Sequence, residues 1–278
     1  MILRNSHGKI NLHLRVLGRR PDGYHEIATL MRKISLCDEM LFEPGGRGIV
    51  LCCPGTTLPE DEGNIVVRAA RALFSAAGRS VDVRITLRKR IPVAAGLGGG
   101  SSNGATALLV LNELLGDPLK PDELASLGAR IGADVPFFLS GERAAWAFGI
   151  GERLEAAETP SFPLVLVNPP YEVSTRTVYE GLKMGLTNRG IQYKIPRLDT
   201  VPRVVENLSN DLESVTLRLH PDLSEIKEQL RASGAAGTLM SGSGPTVFGI
   251  FETKEKAIQA ERLLKERCSG SVYRTRTV

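Results

Sequence analysis

Polar and apolar residues alternate in several stretches of the chain. Within Lys9–Leu17, Ile10, Leu12, Leu14 and Val16 alternate with Asn11, His13 and Arg15, the period of a half-buried strand. A turn-rich run, Gly18-Arg19-Arg20-Pro21-Asp22-Gly23, follows it. Two further strands are predicted at Met40–Glu43 and Ile49–Cys53, joined by the hairpin signal Gly45-Gly46-Arg47-Gly48. Asn64 stands where a cap belongs, before a helix with apolar positions Ile65, Val66, Ala69, Ala70, Leu73 and Phe74. Val81, Val83, Ile85 and Leu87 return to the strand period.

A glycine-rich run and an apolar helix through Leu115 come next, then a helix opening at Pro121-Asp122 with Gly132 just past its end. Ala144–Phe148 and Pro163–Val167 read as strands, and the loop-like Gly149–Ser161 between them is a candidate domain boundary. The second half predicts helices at Ser174–Met184, Asn207–Leu219 and Asp222–Ala232, with Asn188–Arg203 as a basic loop. It closes with strands Thr238–Met240 and Thr246–Phe251, helix Lys254–Arg267 and strand Val272–Thr277. Helices and strands do not alternate regularly, so the predicted class is α+β with mixed or antiparallel sheets.

With 278 residues, 42% of them hydrophobic and 24% charged, the chain has enough apolar surface for one large domain or two, which excludes a disordered chain. The longest uncharged stretch, Ile91–Asn112, contains five glycines plus Ser101, Ser102, Asn103 and Thr106, which hydrocarbon would not accept as a span. His7, Lys9, Asn11 and Arg15 interrupt the place of a secretory core, so a soluble protein of the cytoplasm is expected, with no membrane partner. Cys37, Cys52, Cys53 and Cys268 have no metal-ligand spacing and read as reduced thiols; no protein metal site is expected. The net charge of +4 suits an anionic small molecule as well as a nucleic acid.

The most informative segment is Pro92-Val93-Ala94-Ala95-Gly96-Leu97-Gly98-Gly99-Gly100-Ser101-Ser102-Asn103, set between a predicted strand and a predicted helix. Four glycines in five residues let the backbone approach a ligand and adopt positive φ. Their N–H groups and the helix start then suit a phosphate chain, with the serine hydroxyls available to a phosphate oxygen or Mg²⁺. No Lys follows the glycines, as a Walker loop requires, and Ser101 replaces the last glycine of a dinucleotide fingerprint. A plain strand-to-helix turn would need only one or two glycines.

This motif resembles the second motif of the GHMP kinases, small-molecule kinases named for galactose, homoserine, mevalonate and phosphomevalonate. Lys9-Ile10-Asn11-Leu12 resembles their first motif and Ser241-Gly242-Ser243-Gly244-Pro245-Thr246 their third, in the same order. Arg20–His25, Gly132–Phe138, Val173-Ser174-Thr175 with Val178-Tyr179, and Asn210–Glu213 narrow the likeness to a branch acting on a cytidyl diphosphate sugar alcohol. The likeness runs from about residue 6 to about residue 252 and departs at Ser6-His7-Gly8, where relatives usually carry Ala-Pro-Ala.

The resemblance implies two domains, 1–158 with the ATP loop and catalytic residues and 159–278 as the C-terminal kinase domain, with an active-site cleft between them. It implies transfer of a phosphoryl group from ATP, with Mg²⁺, to the 2-hydroxyl of that small-molecule substrate in isoprenoid precursor synthesis, by a monomer or homodimer. Asp134 is implied as general base, supported by Lys9, although Asp before Val135-Pro136 also reads as a helix cap and a lone Lys9 as a strand-edge lysine. Residues 92–103 would bind ATP. Asn64 is open between adenine contact and helix cap. Tyr24 and Tyr179 would sandwich the cytosine, with His25 on its edge and Asn11 near the sugar alcohol. Taken alone, Tyr179 would read as helix core and His25 as a turn cap. The 241–245 segment is either a second anion nest or a tight turn packed on glycine backbone.

Another GHMP kinase, of homoserine or mevalonate type, is the nearest alternative. A nucleic-acid-binding protein is the alternative of another class; it would need a basic stripe, and Arg88-Lys89-Arg90 is the strongest basic cluster.

Overall fold

The half-buried strand expected at Lys9–Leu17 is a strand, but it is covered on both faces over most of that length: Lys9, Asn11 and His13 are buried along with Ile10, Leu12 and Leu14. The computed structural model describes residues 1–182 and 193–278. The first strand, β1, covers Ile2–Arg19, and β2 covers His25–Pro44. The first half of β2 has no period of two because it is covered on both sides: Ile27, Ala28, Thr29, Leu30, Met31 and Arg32 are all buried.

The chain forms two compact units. Unit 1 comprises residues 1–8, 37–91 and 98–142; unit 2 comprises 9–36, 92–97 and 143–278.

In unit 1, β4 (Val83–Arg88) pairs antiparallel with the end of β2, Glu39 to Pro44, and parallel with β3 (Ile49–Cys52). The glycine turn at 45–48 therefore does not close the expected hairpin. Asp82, just before β4, accepts the Gly45 N–H through its carbonyl (3.0 Å) and the Gly48 N–H through its carboxylate (2.7 Å), and β4 takes the place between β2 and β3. Helices α1 (Ile65–Ala77), α2 (Gly99–Leu114), α3 (Pro121–Ile131) and α4 (Val135–Leu139) pack together in this unit.

In unit 2, β5 (Ala144–Gly149) pairs antiparallel with β2 over Ile27–Arg32, and β6 (Arg153–Ala156) returns on β5. The expected loop at 149–161 thus contains a strand, its turn made by Gly149 and Gly151, both at positive φ. The second sheet is antiparallel, in the order β11 (Ser271–Arg276), β7 (Pro163–Asn168), β10 (Val247–Ile250), β9 (Gly237–Met240). Helices α8 (Asp222–Ala232) and α9 (Lys254–Arg267) cover it, burying Val165, Val167, Leu230, Val247, Phe251 and Leu264.

The helix expected over 207–219 begins only at Glu213, as α7 (Glu213–Leu219). Ser209–Asn210 instead forms β8, parallel to β1. Side chains there compete with helix formation: Asn210 Nδ2 donates to the Met240 and Gly242 carbonyls at 2.8 Å, and Asp211 Oδ2 accepts the Val16 N–H at 2.8 Å. Within the expected loop at 188–203, Thr200 caps α6 (Val201–Glu206), so its end is helical; residues 188–192 lie outside the described residues. The expected helix at 174–184 is present as α5 (Thr175–Glu180), and its last two positions also lie outside the described residues.

Candidate active site

The glycine-rich segment holds its shape through two buried apolar side chains, Ala95 and Leu97, while Val93, Ala94 and Gly100 are exposed. Gly96 (φ +75°) and Gly98 (φ +67°) adopt the left-handed conformation that glycine permits. Gly98 is the N-cap of α2, and no side chain caps that helix. The Gly98 carbonyl accepts the first helical bond, from Ser102 N–H at 2.9 Å, so the N–H groups of Gly99, Gly100 and Ser101 precede the intrahelical ladder. A Cβ on Gly100 would meet nothing closer than 3.9 Å, so its glycine leaves bare backbone toward open space rather than relieving a clash. An uncapped helix start of this kind attracts anions.

The two serines differ. Ser102 is 2% exposed and its Oγ accepts a hydrogen bond from Ser6 Oγ at 2.8 Å. Ser101 is partly exposed, and its Oγ lies 3.5 Å from where a Cβ on Gly132 would stand. Asn103 is buried, with its side-chain Nδ2 donating to Ser6 Oγ and Asp38 Oδ2. Asn64 spends both polar atoms within the protein: Oδ1 accepts the Val66 N–H (3.0 Å) and Nδ2 donates to the Pro59 carbonyl (2.8 Å). Of its two readings, the geometry displays the cap.

Asp134 occupies the N-cap position of α4, but its side chain makes no capping bond. The helix is anchored instead by buried Val135, Pro136, Phe137 and Phe138 and by the Val135 N–H to Gly132 carbonyl bond of 3.0 Å. The partly buried carboxylate is thus not consumed by the helix end, as the cap reading would require.

In unit 2, Lys9 is 4% exposed and donates to Asn11 Oδ1 (2.6 Å) and the Gly96 carbonyl (3.3 Å). It is no strand-edge lysine. Asn11 is also buried and donates to Thr29 Oγ1 (2.8 Å), so its side chain orients Lys9. The 241–245 segment forms a tight turn between β9 and β10 that packs on glycine backbone, with Ser241 Oγ donating to the Gly96 carbonyl at 2.9 Å.

His25 and Tyr179 come together, with ring centroids 5.1 Å apart and planes 32° from parallel. Burial, and then the charge of Arg19, hold the His25 imidazole below its usual pKa, which favours the neutral ring. Tyr24 is 61% exposed, on the turn closed by the 2.7 Å bond from the Arg20 N–H to the Tyr24 carbonyl.

Two features are not visible in the sequence: Asp38 and Lys89 form a buried ion pair, and His13 joins residues distant in the chain. Within the Arg88-Lys89-Arg90 cluster, Arg88 and Arg90 pair with Glu39 and Lys89 is buried on Asp38. The thiols match the reduced reading, with burial pushing Cys53 up to about 11.

Family models decide the relationship. The GHMP kinases N terminal domain matches residues 64–142 and the GHMP kinases C terminal domain matches 197–270. The chain belongs to the GHMP kinases. This GHMP kinase is 55% identical over 274 residues to the 4-diphosphocytidyl-2-C-methyl-D-erythritol kinase of Syntrophus aciditrophicus, covering 98% of each chain. It is similar to a crystal structure of 4-(cytidine 5'-diphospho)-2C-methyl-D-erythritol kinase, with TM-score 0.83, 36% identity and 99% of each chain covered. Its fold is shared with the homoserine kinase of Cytophaga hutchinsonii (TM-score 0.70, 17% identity, 98% of this chain and 94% of that one). Among the described residues, no helix of this kinase is long and apolar enough to cross a membrane.

Proposed function

We propose that this kinase transfers the terminal phosphoryl group of ATP to the 2-hydroxyl of 4-diphosphocytidyl-2-C-methyl-D-erythritol, giving the 2-phosphate and ADP. That activity belongs to the non-mevalonate route to isoprenoid precursors and to the cytoplasm. The 55% identity over nearly the whole of both chains carries the reading; the homoserine kinase likeness, at 17%, extends to the fold alone. We read residues 1–158 and 159–278 as the two functional halves, since each family model falls inside one of them. The enzyme acts as a monomer or homodimer.

Phosphoryl transfer needs position and charge stabilisation more than covalent help from the protein. Residues 92–101 receive the ATP phosphates on the bare amides at the start of α2. Mg²⁺ typically binds through one or two protein oxygens together with substrate phosphates, and the Ser101 hydroxyl is an oxygen of that kind. The ion would neutralise phosphate charge there. Asp134 accepts the proton of the acceptor hydroxyl as its oxygen bonds to the terminal phosphorus and the bond to the ADP oxygen breaks. Lys9, oriented by Asn11, steadies negative charge on the reacting oxygens. Tyr24 and Tyr179 hold the cytosine, with His25 at its edge; Asn64 keeps its capping role.

The test is a panel of acceptors with ATP and Mg²⁺: the cytidyl compound, homoserine and mevalonate, with product followed by ³¹P NMR. A new phosphomonoester on the cytidyl compound alone is expected. Turnover of homoserine or mevalonate instead would overturn the substrate assignment.

A further inference from the structure

Asp38 is fully buried, and all of its carboxylate capacity is used. Oδ1 accepts the backbone N–H groups of Arg90 (2.7 Å) and Ile91 (2.8 Å), and Oδ2 accepts Lys89 Nζ and Asn103 Nδ2 (2.9 Å). Asn103 Oδ1 accepts a second bond from Lys89 at 3.2 Å. Its Nδ2 also donates to Ser6 Oγ (2.9 Å), which donates to Ser102 Oγ (2.8 Å). Separate stretches of sequence thus meet on one carboxylate and its partners.

We propose that Asp38 is a positioning residue for phosphoryl transfer, clamping the two ends of the glycine-rich loop through Lys89 and Asn103. The backbone it holds at Arg90 and Ile91 leads directly into Pro92, and the side chain it holds at Asn103 belongs to the start of α2. The fit has no slack. A Cβ on Gly99 would lie 2.9 Å from Ile91 Cγ2 and 3.2 Å from Lys89 Nζ, so the start of α2 rests directly on the clamp.

Stability alone does not account for such a cluster. A buried ion pair usually repays little more than its desolvation, and an apolar pair of similar volume often serves as well. Position is another matter, because a displacement of about 1 Å in a reacting group can cost about 10²-fold in rate. Ser6, at the departure from the family's usual Ala-Pro-Ala, is absorbed as the last link of the network.

The inference rests on the reading of the loop as the ATP phosphate site, and the experiment separates the two. Three cuts of graded severity are made in the full chain: Ser6→Ala, Asn103→Ala, and the charge-neutral double variant Asp38→Asn with Lys89→Met. Each is followed by urea unfolding, binding of a non-hydrolysable ATP analogue with Mg²⁺, amide exchange, and KM for both substrates. Asn103→Ala and the double variant are expected to weaken the analogue about tenfold or more, and Ser6→Ala about threefold. Amides of residues 99–101 should exchange faster, while KM for the cytidyl substrate stays within about twofold. A merely structural role would lower the unfolding midpoint and the active fraction but leave the affinity for ATP intact. Wild-type analogue affinity in folded Asn103→Ala and Ser6→Ala overturns the clamp. A wild-type protein that does not bind the analogue overturns the ATP reading, and the clamp with it.

Discussion

Gly96 and Ser241 approach so closely that a Cβ on Gly96 would stand 2.1 Å from the Ser241 carbonyl oxygen. The contact is closed by Ser241 Oγ donating to the Gly96 carbonyl, so two stretches 145 residues apart share one tight joint. Gly96 also has φ +75°, which a side chain resists. Gly96→Ala should therefore lower stability by about 3 kcal/mol or more, overpacking and backbone strain acting together. Urea unfolding measures it, and a midpoint equal to wild type would show that the joint yields without cost.

Asp134 stands at the N-cap position of α4, but its side chain makes no capping bond. Asp134→Asn keeps the shape and removes the base. Turnover should fall about 10²-fold or more, while ATP-analogue affinity stays near wild type. Near-normal turnover in the folded variant would remove Asp134 from proton transfer.

His25 and Tyr179 lie against each other with ring centroids 5.1 Å apart and planes tilted by 32°. Tyr179→Leu retains an apolar side chain and removes the ring. Loss of a base–aromatic contact of about 1–3 kcal/mol should raise KM for the cytidyl substrate by about 5- to 150-fold. KM for ATP should not move. Equal changes in both constants would point to damage of the fold rather than to base recognition.

His13 is buried with Nδ1 2.8 Å from the Asn207 carbonyl, which can only accept, so Nδ1 carries the proton and Nε2 accepts from the Tyr193 hydroxyl. Burial, the largest influence, lowers its pKa below 6.5. Below pH 6.5 the unfolded chain therefore takes up a proton that the folded chain refuses, and stability falls as pH drops toward the lowered value. His25 is shifted in the same direction and adds to the trend. The His13→Gln variant should show a shallower loss of unfolding midpoint between about pH 7 and pH 5. An unchanged slope would assign the acid sensitivity elsewhere.

Arg32 is 5% exposed, and its Nε has no hydrogen-bond partner among the described residues. The charge of Arg143 acts against it as well, after burial itself. A buried charge with an unsatisfied donor is costly, so Arg32→Met should stabilise the protein. In a chain of this size each 1 kcal/mol moves Tm by about 2–4 °C, which calorimetry resolves. A lower Tm would mean that the guanidinium is satisfied in solution.

Much of the site is legible from the order of residues alone. The strand from Ile10 to Val16, though not the burial of Asn11 and His13 within it, the cap at Asn64 and the helix that opens at Pro121 each follow from a residue and its near neighbours. The glycine loop is legible as a run of glycines, but what demands them is partly tertiary: a Cβ on Gly96 would meet the Ser241 carbonyl and one on Gly99 would meet Ile91. Even Asp134, whose two readings the residues around it leave open, is marked as a candidate by its place before Val135-Pro136.

Tertiary structure alone decided the rest. Nothing local says that β4 enters between β2 and β3, or that Asp211 binds β1 and delays a helix. The first half of β2 has no period because both of its faces are covered, and that covering comes from elsewhere in the chain. Asp38 with Lys89, and His13 with Tyr193, are 51 and 180 residues apart. A charged or polar side chain looks the same in sequence whether solvent or a distant partner satisfies it. Only packing, which removes the water, makes the partner obligatory.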